Sequence, residues 1–271
     1  MKAAWNVRGH TLHGWLATAS IILTSLALFG GTAVAAGQLL GSPVAGAVVA
    51  NAVMFTAGMI WLRSRAGSGS KGVPVRTVPG RRFWALAGSA LVMCWLVGQA
   101  GALWVYSYTG SPGFESHSQV KQAAPVLLTL LLVLVLAPMG EEMLMRGLAY
   151  ARLRRHLPPV AAALLTAGVF SLLHQNLVQI LATLPLGMLL AAVYERTGRL
   201  TPVIGMHIVF NLLSVALPVN AVSSLASLAF VLVAGSVLLV LLAALYAPQQ
   251  ARRRRGGVNP RRDEETALTG R

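Results

Sequence analysis

Residues 123–151 read AAPVLLTLLLVLVLAPMGEEMLMRGLAYA. A helix needs about 20 apolar residues to cross a bilayer, and this stretch is long enough. No charge occurs until Glu141 and Glu142, which stand side by side, with Arg146 one helical turn further on. A carboxylate in hydrocarbon is energetically costly, so an ionisable residue at this depth indicates a functional site. We therefore take this stretch as the candidate centre of the molecule.

The composition of the whole chain is that of a membrane protein. Of 271 residues, 56% are hydrophobic and 11% are charged, and apolar runs near bilayer length recur along the sequence. The net charge of +15 could suggest a nucleic-acid partner. The basic residues lie in short segments between apolar runs, however, and no soluble domain is present to carry a binding face. This placement indicates contact with membrane lipid and excludes nucleic acid as a partner.

The apolar pattern predicts an all-α polytopic membrane protein of about eight transmembrane helices. The predicted helices cover residues 14–36, 44–62, 83–106, 123–151, 159–175, 176–194, 200–217 and 223–246. Between them we predict a flexible basic linker at 63–82 and a polar loop at 107–122. The domain organisation is then N-terminal helices, a four-helix core, a last helix and a disordered basic tail, at 1–122, 123–222, 223–246 and 247–271.

The basic residues also predict an orientation. Twenty of the 22 Lys and Arg fall on the side of the N-terminus, Lys121 alone falls on the other side, and Arg146 lies within a span. Because basic segments stay in the cytoplasm, we predict that both termini are cytoplasmic in a plasma membrane, which the Ala- and Arg-rich composition suggests is a bacterial inner membrane. Residues 1–36 also resemble a signal peptide, and we favour a retained helix because membrane segments follow throughout.

Helical spacing separates the two adjacent carboxylates. Glu142 and Arg146 are four residues apart and lie on one face, so they can form a neutralising ion pair. Glu141 lies about 100° around the helix and is the carboxylate left for chemistry. Pro138 removes a backbone hydrogen bond, so we expect the helix to kink or restart there and to place the pair in its first turn. The alternative is that all three charges form a purely structural network.

Two further polar groups lie in predicted membrane helices. Phe170 and His174 share a helix face in FSLLH, and His207 and Asn211 share one in HIVFN. Taken singly, such residues usually form hydrogen bonds between helices. Together with Glu141 they supply a base, two imidazoles and an amide. These groups can activate a water molecule and stabilise an oxyanion.

The order Glu-Glu-x-x-x-Arg, Phe-x-x-x-His, His-x-x-x-Asn within residues 138–217 resembles the CPBP family of intramembrane proteases. That family comprises type II CAAX prenyl endopeptidases and bacteriocin-processing and immunity proteins. The resemblance implies an α-helical membrane endopeptidase whose four-helix core is catalytic. It assigns water activation to Glu141 and His174, and oxyanion stabilisation to His207 and Asn211. The other motif residues would support them: Glu142, Arg146 and Phe170.

Two mechanisms stay open from the sequence. Glu141, His174 and His207 could bind a divalent metal such as zinc, which would generate hydroxide. Without a metal, Glu141 would act as a general base and no cofactor would be needed, and we favour this form.

The expected substrate is a peptide or protein at the membrane. The competing hypothesis is a non-catalytic membrane scaffold or immunity protein that keeps the motifs as a polar helix-packing core. A transporter is disfavoured because the sequence has no paired broken helices and no internal repeats.

Overall fold

A computed structural model describes residues 12–67, 79–217 and 219–247, and every regular element within these ranges is helical. The helices are α1 (Leu12–Leu39), α2 (Pro43–Gly67), α3 (Arg81–Thr109), α4 (Pro112–Ala123), α5 (Val126–Leu153), α6 (Pro159–Leu172), α7 (Leu177–Thr197), α8 (Leu200–Ala216) and α9 (Leu228–Tyr246). A 3-10 helix, Val219–Leu225, replaces the turn expected between α8 and α9.

The predicted all-α polytopic membrane fold is confirmed. Each of the eight predicted apolar segments forms a helix, and six of these are long and apolar enough to cross a membrane: α1, α2, α3, α5, α7 and α9. The other two, α6 and α8, are apolar but shorter. At 1.5 Å per residue α6 is about 21 Å long, which is less than the hydrocarbon thickness of about 30 Å.

The segment 107–122 is mostly helical and not the predicted loop. α3 continues to Thr109, and α4 begins at Pro112, directly after Ser111. Ser111 caps α4 by accepting a hydrogen bond from a backbone N–H of the first turn at 3.3 Å, and Pro112 occupies the first helical position. Glu115 in the first turn and Lys121 in the last turn complement the helix dipole.

Much of the predicted linker and tail lies outside the described residues. Helix extends into both ends of the predicted linker at 63–82, and its middle, 68–78, is not described. The same holds for 248–271, which is nearly all of the predicted disordered tail, and for residues 1–11.

α5 does not restart at Pro138, which corrects the prediction from the sequence. The backbone stays helical throughout, with two wide π-helical stretches at Leu132–Leu136 and Met143–Tyr150. In a π turn the N–H bonds a carbonyl five residues back, and the wider turn before Pro138 accommodates a residue that has no N–H. Glu141 and Glu142 therefore lie inside a continuous helix.

α7 lies at the centre of the bundle and packs against α3, α6, α8 and α9. Its side chains form much of the buried core, including Leu186, Leu189, Leu190 and Val193. Small residues allow close approach of the backbones: a Cβ on Gly187 would lie 2.7 Å from Cβ of Ala167, and one on Gly98 would lie 2.9 Å from Cα of Ala182. Such small-residue contacts are typical of helices packed in membranes.

Glu195 follows the helix predicted at 176–194, but in the structure it is buried near the end of α7. It accepts hydrogen bonds from Nε and Nη2 of Arg154 at 2.8 and 3.0 Å, and from the hydroxyl of Tyr150 at 3.0 Å. Arg154 directly follows α5, so this ion pair joins the ends of α5 and α7. The two helices that frame the candidate site are thereby held together at one end.

Candidate active site

Glu142 is fully buried and is bonded to Arg146 of its own helix and to His207 of α8. Both its carboxylate oxygens lie 2.8 Å from Nη1 of Arg146, and it accepts a hydrogen bond from Nδ1 of His207 at 2.8 Å. Arg146 is also fully buried and donates from Nη2 to the carbonyl of Gly187 at 2.7 Å. The predicted ion pair forms, and it links α5 with α7 and α8. Pairing combined with hydrogen bonding is what stabilises charges at this depth.

His207 lies between the two carboxylates. Its Nδ1 donates to Glu142, and its Nε2 lies 3.8 Å from Oε2 of Glu141. Because a carboxylate only accepts hydrogen bonds, Nδ1 carries a proton and Nε2 is the atom that faces Glu141. The side chain of Glu141 is 23% exposed, whereas that of Glu142 has no exposed surface. Of the two acids, Glu141 is the one that a water molecule can reach.

The ring of Phe170 contacts both imidazoles and the guanidinium. Its centroid lies 5.1 Å from that of His174 and 5.8 Å from that of His207, each in an edge-on arrangement. The Arg146 guanidinium carbon lies 5.5 Å from the same ring centroid. Phe170 therefore brings His174 into contact with the group formed by the other motifs.

The sequence predicts His174 within the helix at 159–175, but in the structure His174 lies just after the end of α6. Its Nδ1 bonds the carbonyl of Phe170 at 3.0 Å; since a carbonyl only accepts, the proton is on Nδ1 and the lone pair on Nε2. The next residue, Gln175, has a left-handed backbone with φ of 56°. Asn176 then donates to the carbonyl of His174 at 2.8 Å and caps α7. This tight connection fixes the backbone at His174.

Asn211 contacts the backbone of α5 instead of the carboxylates. Its Nδ2 donates to the carbonyl of Val133 at 2.8 Å. In this π-helical stretch the N–H of Ala137 bonds the carbonyl of Leu132. The next bond in that register would join residue 138 to Val133, but Pro138 has no N–H. Asn211 thus satisfies a carbonyl that would otherwise have no intrahelical partner at membrane depth.

Comparison with known families agrees with this arrangement. Residues 123–213 match the family model described as type II CAAX prenyl endopeptidase, Rce1-like. This match supports the assignment to the CPBP family, and we call residues 123–213 the CPBP segment. The match covers about a third of the chain and contains all three motifs. No curated protein and no solved structure matches. At the level of the family, the match indicates a membrane endopeptidase, a class of enzyme that acts on peptides or proteins.

Two residues outside the CPBP segment approach Gly140 or Glu141, and the sequence did not single them out for the site. On α2, Asn51 packs against Gly140, where an added Cβ would lie 2.7 Å from Cα of Asn51. On α4, burial lowers the pKa of the Lys121 ammonium, and the negative charge of Glu141 opposes this shift. The glycine beside the Glu pair was the one sequence signal for the close approach of α2.

The predicted metal ligands of the CPBP segment are not gathered as a metal ion requires. His207 faces Glu141, and His174 contacts the ring and carbonyl of Phe170. Within the described ranges, no three His, Cys, Asp or Glu side chains form a group that could hold a metal ion. Glu141, His174 and His207 therefore do not fit the predicted zinc site in this arrangement.

Proposed function

We propose that this CPBP protein is an intramembrane endopeptidase that hydrolyses a peptide bond of a membrane-associated protein or peptide. The observation that carries the proposal is the different environment of two adjacent carboxylates. Glu142 is bonded to Arg146 and His207, whereas Glu141 is partly exposed and faces an imidazole nitrogen. A general base must reach the water that it activates, and only Glu141 meets that condition.

In this mechanism Glu141 is the general base. It takes a proton from a water molecule as the water oxygen attacks the peptide carbonyl carbon, and the carbonyl π electrons move onto oxygen. His174 assists by accepting a hydrogen bond from the same water at Nε2, since its Nδ1 proton is engaged with Phe170. When the tetrahedral intermediate collapses, Glu141 returns the proton to the leaving amine.

The oxyanion is stabilised by His207 and Asn211. Protonated His207 donates from Nε2, and its positive charge is balanced by Glu142 at Nδ1. Asn211 uses one amide hydrogen for the carbonyl of Val133, and the second amide hydrogen is the one proposed to reach the oxyanion. Glu142, Arg146 and Phe170 position these groups.

Cleavage by the purified, full-length protein tests the proposal. The wild type is incubated in detergent with solubilised membrane proteins, and products are mapped by mass spectrometry. We expect Glu141→Gln to cleave at least about a hundredfold more slowly, as for loss of a general base, with an unchanged melting temperature. Glu115→Gln is the matched control, because Glu115 is an exposed carboxylate on α4. Full activity in Glu141→Gln would show that this mechanism is wrong.

We propose the metal-free form of the reaction, in which Glu141 itself takes the proton. Dialysis of the purified protein against a strong chelator should then leave cleavage unchanged. Loss of cleavage that added zinc restores would replace this form with the metal-dependent one.

The second candidate is a non-catalytic membrane scaffold or immunity protein. The network of Glu142, Arg146 and His207 supports it, because these contacts join three helices whether or not chemistry takes place. In that case the wild type would cleave nothing in the same assay, and Glu141→Gln would behave as the wild type does.

A further inference from the structure

A groove lies between α1, α5 and α6, beside the part of α5 that carries Glu142. It has a volume of about 240 Å³, and its exposed lining is entirely apolar. Leu144 and Met145 of α5 form one wall. Leu23 of α1 and Leu165 of α6 also line it and are 65% and 52% exposed, so the groove opens to the surface of the bundle. In a membrane this surface is covered by lipid.

A buried histidine lies beside one end of this apolar groove. Trp15 and Thr18 line the groove there, and both contact His156, which follows α5. Thr18 Oγ1 lies 3.0 Å from Nε2 of His156, and the Trp15 ring stacks on the imidazole with centroids 4.5 Å apart. His156 is 7% exposed, and its Nδ1 has no hydrogen-bond partner among the described residues.

The same end is positively charged. Arg155 is exposed next to His156, and Arg152 lies one turn earlier with its guanidinium 5.2 Å from the ring centroid of Trp61. Arg154 is neutralised by Glu195. The other acidic side chains in the described part of the chain belong to α4 or to the candidate active site, so none of them is placed to balance Arg155.

We propose that this groove binds an anionic phospholipid, with an acyl chain between α1, α5 and α6 and the phosphate at Arg155 and His156. An apolar cavity of about 150 Å³ already takes up apolar ligands, and this groove is larger. Basic clusters beside membrane helices attract anionic headgroups, so the apolar groove and the basic residues next to it match the two parts of one lipid. A zwitterionic lipid can pack against the apolar wall, but its headgroup carries no net negative charge to balance Arg155.

The bound lipid contacts the catalytic helix from outside the active site. Leu144 and Met145 lie between Glu142 and Arg146 in the sequence, so the occupant of the groove packs against the turn that carries the ion pair. α1 makes few direct contacts with this part of α5, and the lipid fills the space between them. The site is independent of the proposed peptidase activity, because it is defined by its own lining and charges.

Binding is tested with the purified full-length protein in detergent. Phosphatidylglycerol and phosphatidylcholine with identical acyl chains are titrated, and the melting temperature and the lipid retained in native mass spectrometry are measured. We expect phosphatidylglycerol to be retained and to raise the melting temperature more than phosphatidylcholine does. Ala19→Trp should abolish this difference, because Ala19 is an exposed residue of the groove lining.

Ala17→Trp is the matched control, since Ala17 is exposed on the same helix about 200° from Ala19 and does not line the groove. For the headgroup, Arg155→Gln should weaken phosphatidylglycerol binding about fivefold. Arg199→Gln, at an exposed arginine elsewhere, should not change it. If Ala19→Trp does not fold, Leu165→Trp fills the same groove from α6.

Three results would overturn the proposal. The first is an equal response to the two lipids, and the second is equal retention of phosphatidylglycerol by the groove-filling and control variants. The third is a rise in melting temperature with glycerol 3-phosphate alone that equals the rise with phosphatidylglycerol. Because binding is measured directly, a failure of the proposed peptidase activity would leave this test unaffected.

Discussion

Glu142 shares its carboxylate between Arg146 and His207, whereas Glu141 faces the other nitrogen of the same imidazole at 3.8 Å. The pairing of Glu142 with Arg146 could be predicted because it is local, four residues apart on one helix. The bond from His207 could not be predicted. It joins residues 65 positions apart and depends on how α8 packs against α5.

Breaking the buried ion pair should destabilise the protein strongly. Glu142→Ala leaves Arg146 and His207 without their carboxylate, and we expect it to lower the free energy of unfolding by about 3–5 kcal/mol. In the double variant Glu142→Ala/Arg146→Met, most of this loss should be recovered because no uncompensated charge remains. Denaturant titration in mixed micelles measures both. Equal stability of the single and double variants would contradict the inference that Glu142 stabilises the protein by neutralising Arg146.

Among the helices, Pro138 and Asn211 form one structural unit although they lie on α5 and α8. Pro138 leaves the carbonyl of Val133 without a partner in the π-helical register, and Asn211 supplies the donor. The expectation that Pro138 disturbs the helix is correct, but the expected restart of the helix is replaced by a π-helical stretch. A π turn has no sequence signature comparable to a cap, and it is stabilised here by a side chain from another helix.

This unit predicts a coupling between the two residues. Asn211→Ala should lower the free energy of unfolding by about 1–3 kcal/mol, because a buried carbonyl loses its donor. In a Pro138→Ala background the new backbone N–H can bond that carbonyl. Asn211→Ala should then lower the free energy of unfolding clearly less. A double-mutant cycle of unfolding free energies measures the difference. Strict additivity of the two substitutions would argue against the assigned role of Asn211 in satisfying Val133.

The contact of α2 with α5 makes a separate prediction. Gly140→Ala should push Asn51 and its helix away from Glu141, at a cost of about 1–3 kcal/mol in unfolding free energy and with lower cleavage. Gly88→Ala is the matched control, because Gly88 lies on α3 with nothing within 4 Å of an added Cβ. That variant should be neutral or slightly more stable. If Gly140→Ala is equally well tolerated, the close approach of α2 is unimportant for the site.

α4 shows that local signals can be overlooked in a polar segment. Ser111, Pro112, Glu115 and Lys121 are an N-cap, a first-position proline and charges matched to the helix dipole, and together they predict the observed helix. The polar composition of the segment and its turn residues predict a loop instead. The approach of Lys121 to Glu141 was beyond prediction, because it depends on how α4 folds back over the bundle.

At the scale of the whole molecule, the apolar runs of the sequence were sufficient to predict the eight apolar helices, although two of these helices are shorter than a bilayer span. Apolar length did not predict which helices surround the site. α7 is the most buried of the long helices, yet its sequence, like that of the peripheral α9, is apolar all round and does not show which face is buried. Helix order in a membrane bundle is decided by small residues and polar contacts, such as Gly187 with Arg146, that join distant parts of the chain.

The orientation of the bundle can be tested with single cysteines. Twenty of the 22 basic residues are assigned to the cytoplasmic side, so Arg199 should lie inside and α4 outside. A membrane-impermeant maleimide added to intact cells should label Gln119→Cys on α4, and should label Arg199→Cys only after permeabilisation. Both positions are exposed, and the wild type is the control because its one cysteine, Cys94, is buried. The reverse labelling pattern would invert the topology and place α4, with Lys121 beside Glu141, on the cytoplasmic side of the active site.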